Sequence, residues 1–562
     1  MAAVLALSWT DAPSAAAAAT VQRAAQTAGF QTVSSLSQGW LGVAGRRPPA
    51  VHDLRGGLIA MGDLFDHPDD GRLGVGGRLD RLRNLTRTKW GRYIALDRDA
   101  DGALRAAMRD PSGSHELAVW RSSGVTVVTT GTPDWLIAAA PISGAIRWDA
   151  VPALLADPDA SLTQPPLEGL IALDAGEMID LDTDTREQIW RPWTGRQPDL
   201  WSAPAAAAGL RDRIDACVGS LAATVSRCGA ELSGGLDSAI VAAALGAHRP
   251  AMRLWLNAFS SRPETDERHY AARVSERLGL TLTAAQRCEQ ALEPEVLDRT
   301  AGGVRPGLNG ADPVFDALIA QACAAAGLDG LLTGKGGDAL FYQGASPAIL
   351  GDLLKARGAF ALVSPVWPGL SRWIRRSAWS VLAEAKRPTA STLPAGPTHP
   401  WIVGAETLPD GKRAQLAALV SNLAYVTACR RTEVVDLIHP LMAQPLIEWT
   451  MRIPTPVLTA GKTDRHLARS AFADRLPAEV AWRRSKGDYT ATFEREAAAS
   501  LPFLRDHLLG GLLAERGVID RVQVEALLDR DRLMWAGGSA SLTTMALVES
   551  WLRRWTARLG SQ

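Results

Sequence analysis

Apolar residues run almost unbroken from Val4 to Trp9, and an Ala-rich segment follows from Ala15 to Ala28; this pattern predicts an opening strand and then a helix. Short apolar stretches such as Gly57 to Met61 and Val125 to Thr129, set apart by Gly, Asp and Pro, predict an α+β region over residues 1–200. The Pro- and Ala-rich stretch from Pro192 to Ala208 reads as a linker into a second domain, residues 201–562. Apolar residues then recur at three- and four-residue steps from Leu210 to Val225, as on a helix face. Cys228 into Leu232 and Met252 to Phe259 read as strands, and so does Gly327 to Thr333; Ala239 to Leu245 lacks any breaker and reads as a helix. Thr265 is placed to cap a helix running to about Leu278. Strand–helix alternation of this kind implies a parallel sheet with ligands at the carboxyl ends of its strands. From Leu350 to Pro400 the chain predicts helices with many tryptophans and with Arg372, Arg375 and Arg376: a solvated face over buried indoles, or a peptide-docking surface. The part after Gln444 is mostly helical and ends in a packed helix from Ser541 to Trp555.

Composition narrows the function classes. The 562 residues carry 60 basic and 60 acidic side chains, so no charge excess favours nucleic acid or an anionic membrane. Five scattered cysteines form no Cys-x-x-Cys pair, which predicts reduced thiols in a cytoplasmic protein and neither a disulfide framework nor a zinc site. No apolar run reaches about eighteen residues, so no membrane span is expected. The Ala-rich start lacks a basic segment and is interrupted by Asp11, unlike a signal peptide.

The most informative stretch is Leu232-Ser233-Gly234-Gly235-Leu236-Asp237-Ser238, a strand, a glycine turn and a helix start. Two glycines admit close backbone approach, and the N–H groups and positive dipole end of the helix converge where a phosphate fits. The string resembles the pyrophosphate-binding loop of the ATP-pyrophosphatase group, as in asparagine synthetase, and lacks the Gly-Lys-Ser/Thr ending of the Walker-type loop. About a hundred residues on, Gly334-Lys335-Gly336-Gly337-Asp338 resembles the second signature of that superfamily. Met61 to Phe65, Tyr93 to Leu96 running on to Arg109 to Gly113, and Gly169 to Ala175 followed later by Trp190 are similar to its glutaminase half, an α+β domain of the Ntn type.

The resemblance implies a C-terminal α/β ATP-pyrophosphatase domain behind a degenerate glutaminase-like domain. Ala2 and Ala3 stand where glutamine-using members carry a nucleophilic cysteine, so no ammonia release from glutamine is expected. ATP would be held by Leu232, Ser233, Gly234, Gly235, Asp237, Ser238, Leu256, Thr333 and Gly334, with magnesium on Asp237 and Asp338. Asp436 lies where asparagine synthetases have Glu-x-Arg-x-Pro-Phe, with Ile438 replacing the arginine; His439 beside it reads as a packed or exposed side chain, or as a general base. Lys486, in Arg483-Arg484-Ser485-Lys486-Gly487-Asp488, matches the family's catalytic lysine, a fixed cation for charge developing on the acyl group.

Within the superfamily the chain most resembles lasso-peptide macrolactam synthetases. Such a cyclase adenylates an Asp or Glu side chain of a precursor peptide and closes an isopeptide bond with the peptide's N-terminal amine. Lys486, Asp436 and Asp338 would be catalytic, and a leader-peptide protease and a leader-binding protein would be partners. Three features lean this way besides the absent cysteine: Ala339 in place of a second acid, the altered segment at Asp436, and Lys-Gly-Asp at Lys486. Lys335 stands where β-lactam synthetases place a tyrosine and speaks against that activity. Amide or β-lactam formation on a small molecule, and a degenerate ATP-binding scaffold, are the alternatives.

Overall fold

Alternating apolar positions over residues 3–188 build two six-stranded sheets in which every pairing is antiparallel. The first sheet runs, in space, Leu170–Ala172, Ala118–Ser122, Val125–Thr129, Ala3–Ser8, Gly39–Ala44, Gln31–Leu36. The second runs Thr185–Gln188, Glu177–Asp180, Leu104–Arg109, Lys89–Arg98, Leu58–Asp66, Val51–Asp53. Side chains alternate across a strand. Val4 and Ala6 therefore meet Ile59, Met61, Ile94 and Leu96 between the sheets, while Leu5 and Leu7 face outward into a different core with Ala18 and Val21 of helix Ala12–Thr27. On the other side, Leu82 and Leu85 of helix Arg78–Thr88 cover Leu58, Ala60, Tyr93 and Ala95. The computed structural model describes residues 3–69, 77–157, 164–193, 197–248, 252–260, 262–307, 312–386, 399–484 and 487–560.

The second half centres on a five-stranded parallel sheet ordered Leu282–Arg287, Met252–Ser260, Cys228–Glu231, Gly330–Leu332, Asp436–Ile438. Helix Leu236–His248 follows the central strand and is buried from Ala239 through Leu245, which accounts for its unbroken apolar run. The edge strand Asp436–Ile438 is too short to show a period in the sequence.

Two sequence readings shift. The Ala-rich end of the expected linker is helical: Ser202 caps helix Ala203–Ala222, and Pro204 sits in its first turn, where a missing N–H costs nothing. Thr265 does not cap a helix. It is buried, its hydroxyl is bonded to Ser260 and to the Arg262 carbonyl, and the helix begins later, at Arg268–Leu278.

The C-terminal helices between Thr490 and Gly560 do not pack on the parallel sheet alone. Leu504, Leu542, Trp551 and Trp555 join Leu5, Leu7, Trp120 and Val127 in one hydrophobic core. The indoles of Trp551 and Trp555 both donate to the Gly303 carbonyl, at 3.0 Å each. Among the described residues, no helix is long and apolar enough to cross a membrane.

Beneath the second glycine loop Lys412 is fully buried, donating to Gln415 Oε1 and the Thr450 carbonyl at 2.7 Å each; Gln415 in turn donates to the Leu340 carbonyl at 2.8 Å. Burial lowers the Lys412 pKa from 10.5 to about 7, against the pull of Asp352. Between those values the unfolded chain binds a proton that the folded chain does not, so this group adds stability as pH rises, at most about 1.4 kcal/mol per pH unit. Lys412→Met should therefore show a smaller gain in Tm from pH 7 to the alkaline side than the parent, read by calorimetry.

Candidate functional site

The exit of the central strand is pinned before the glycine turn begins. Leu232 N–H donates to the Leu256 carbonyl at 2.8 Å, and the Leu232 carbonyl accepts from Asn257 Nδ2 at 2.8 Å. Gly234 then takes φ +94°, and a Cβ there would lie 2.7 Å from the Glu267 carbonyl oxygen. Ser233 Oγ accepts the Gly235 N–H at 3.2 Å and lies 3.0 Å from Ser238 Oγ, which donates to the Gly235 carbonyl. Helix Leu236–His248 starts here, so its first N–H groups, which lack intrahelical partners, sit beside Ser233 and Asp237 at the floor of a cleft of about 820 Å³.

The second loop follows strand Gly330–Leu332 and leads into the short helix Gly337–Leu340. It lies directly against the first. A Cβ on Gly334 would be 2.5 Å from the Ser238 nitrogen, and one on Gly337 would be 2.4 Å from Asp237 Cγ. Thr333 Oγ1 accepts the Lys335 N–H at 3.2 Å and lies 2.7 Å from His439 Nδ1.

This contact brings Asp237 and Asp338 to one point, the guanidinium of Arg465. Its Nη1 lies 3.1 Å from Asp237 Oδ2 and also binds Asp338 Oδ1, while Nε bonds Asp464 at 2.7 Å. Arg465 is buried and has φ +51°. Burial opposes its charge, yet the three carboxylates outweigh burial and raise its pKa. Sequence reasoning missed this residue, because an Asp-Arg pair on a polar stretch looks like any solvated pair. Arg469 holds the same segment through Asp464 and the Ala481 carbonyl.

Among the described residues no three His, Cys, Asp or Glu side chains group as a metal site. Magnesium on a nucleotide needs only one or two carboxylates besides phosphate oxygens. Asp237 and Asp338 fit that requirement, provided Arg465 yields part of its position.

The other expected residues fall in different places. Ser233, Gly235, Ser238, Thr333 and Gly334 line the cleft. Leu232 and Leu256 are buried within the sheet and set the loop's height, without lining the cleft. Lys486 lies outside the described residues. The residues around it are held by Glu267, whose carboxylate takes Arg483 and the Gly487 N–H at 2.7 Å each; Arg483 also stacks 3.7 Å over Tyr270 and lines the cleft.

Asp436 faces away from the loops. Arg92 binds both its oxygens, at 3.0 and 2.8 Å, and Arg47 binds one at 3.1 Å. Burial acts against its charge, but Arg92 and its neighbours keep the pKa below the usual carboxylate value. It lines a second cavity of about 370 Å³ between the antiparallel domain and the parallel sheet, with His115, Glu116 and Arg305. His439 borders both cavities. Burial, then Arg431, Lys335 and Arg92, push its pKa down to about 3, so its ring is neutral near pH 7.

With no space for a methyl group between the loops, Gly334→Ala should part them. The expected result is a stability loss of about 1–3 kcal/mol by denaturant titration, with ATP-dependent turnover reduced at least about tenfold. Gly246→Ala, in a helix and with nothing within 4 Å of a Cβ, should leave turnover unchanged and raise stability by up to about 1 kcal/mol.

The family model for asparagine synthase matches residues 209–553. No curated protein matches the chain.

Proposed function

The chain belongs to the asparagine synthase family, and from that premise we propose that this ATP-dependent carbon–nitrogen ligase acts on a peptide, closing a lasso-type macrolactam. The convergence of Asp237 and Asp338 on Arg465, under two glycine loops, carries the ATP half of this reading. The peptide half is supported by the residues that differ from an asparagine-forming site. Asp436 is committed to Arg92 and Arg47 instead of facing a free amino acid's ammonium, and Ile438 supplies no arginine for its carboxylate. Residues 1–216 contain no cysteine to draw ammonia from glutamine.

In the proposed reaction a side-chain carboxylate of the peptide attacks the α-phosphorus of ATP, the Pα–O bond to pyrophosphate breaks, and an acyl-adenylate forms. The Ser233–Ser238 turn receives the pyrophosphate, and Arg465 stands beside it as a cation. Magnesium, when bound to Asp237 and Asp338, supplies further charge neutralisation on the phosphates. The peptide's N-terminal amine then attacks the acyl carbon, AMP leaves, and a proton is lost from nitrogen. Lys486 stabilises the charge on the tetrahedral species. Holding amine and acyl carbon together can lower the barrier by roughly 7–11 kcal/mol in favourable intramolecular cases. A leader-peptide protease and a leader-binding protein would present the peptide.

The test is AMP release with mass analysis on two substrates in parallel: a linear core peptide encoded beside the gene, and aspartate with ammonia. AMP with the peptide, together with loss of one water from it, is the expected result. AMP with aspartate overturns the peptide reading. Lys486→Ala should lower lactam formation at least about a hundredfold; near-normal turnover would remove the role assigned to that lysine.

A further inference from the structure

The cleft has two chemically different walls. The glycine-loop side offers Ser233, Lys335, Asp338, Arg465 and Arg483. The other offers Leu292, Phe315, Phe493, Ala497 and Leu547, and the same segments bring Asp312 and Glu496, both held by Arg287. Phe315 and Phe493 are half-buried and line the cavity; the Arg431 guanidinium lies 5.2 Å from the Phe315 ring centroid and that of Arg287 5.8 Å from the Phe493 centroid. Thr543 and Thr544 stand on the same helix as Leu547 and also line the cavity; no hydrogen bond holds either hydroxyl to the described protein. Three separate helices build this wall: Pro313–Ala325, Thr490–Ala499 and Ser539–Gly560. The last two belong to the core shared with the antiparallel domain and contribute nothing to the phosphate loops.

At about 820 Å³ the cleft is near the upper end of small-molecule sites, which span roughly 300–1,000 Å³. An apolar surface carrying a few polar groups fixes the orientation of what it binds. Two half-exposed phenyl rings beside two free-standing hydroxyls suit an apolar side chain flanked by peptide amide groups.

We propose that this wall is a specificity subsite that takes an apolar side chain next to the activated acid in the peptide substrate, with Phe493 and Phe315 gripping the side chain and the hydroxyls of Thr543 and Thr544 meeting the backbone. The inference rests on the peptide-ligase reading above. It makes the C-terminal helices determinants of which peptide is accepted, and assigns the ATP contacts to the opposite wall.

The experiment uses the full chain and the linear core peptide encoded beside the gene, with AMP release read as separate KM values for peptide and for ATP. Phe493→Ala should raise the peptide KM roughly tenfold while the ATP KM moves less than about twofold; Phe493→Leu should recover most of the loss. A peptide whose apolar residues beside the acid are changed to serine should be a poorer substrate for the parent but lose little further in Phe493→Ala, since the two changes remove one contact. A rise in the ATP KM instead would identify the ring as a platform for adenine and overturn the subsite. An unchanged pair of KM values would overturn it as well. Absence of peptide-dependent AMP release in the parent protein would remove the peptide-ligase reading itself, and this inference with it.

Discussion

The contact between the two glycine loops is the constraint on which the site depends. At Gly334 and Gly337 the chain passes so close to Ser238 and Asp237 that no side chain fits. That closeness places two carboxylates at one spot, where like charges would repel. Arg465, buried and fixed by Asp464, offsets the repulsion and holds both acids on one guanidinium. The geometry of the loops and the charge of the arginine are thus one device: the loops bring the carboxylates together and the arginine offsets their repulsion.

Around this device the antiparallel domain acts as a brace. Arg92 links Asp63 of its own sheet to Asp436 at the edge of the parallel sheet. Arg305 binds Glu116 and Asp174. Glu448 accepts from the Trp190 indole at 2.6 Å and meets His67 Nε2 at 3.0 Å, and the Trp401 indole donates to the Ala175 carbonyl at 2.8 Å. Buried ions are expensive to desolvate, so such a network contributes less to net stability than its short distances imply. Its effect here is orientation, since each charge accepts few arrangements of its partners.

The sequence announced the elements whose physics is local. The strand predicted at Val4 to Trp9 and the helix at Ala15 to Ala28 appear as Ala3–Ser8 and Ala12–Thr27, and Val125–Thr129 is a strand with the expected bounds. Glycine spacing announced both loops, because backbone conformation and close approach leave a mark in residue type. What stayed hidden depends on partners distant in the chain. Asp436 meets arginines more than 340 residues away. Arg465 meets Asp237 across 228 positions. Nothing around Arg465 differs from an ordinary polar stretch, and the apolar residues beside Asp436 do not say which arginines it meets. Thr265 misled because a hydroxyl before acidic residues resembles a cap, whereas here burial gave it partners in the preceding turn.

The last helix, Ser539–Gly560, closes a core that also contains Leu5 and Leu7. A ribosome finishes those opening strands more than five hundred residues before it makes that helix. The antiparallel domain therefore emerges with an outer apolar face that its own residues do not fully cover. Long-range closure of this kind is slow and leaves nascent apolar surface open to aggregation. During synthesis that face stays uncovered until the last helix is made, and the far wall of the cleft is assembled only when translation is nearly complete.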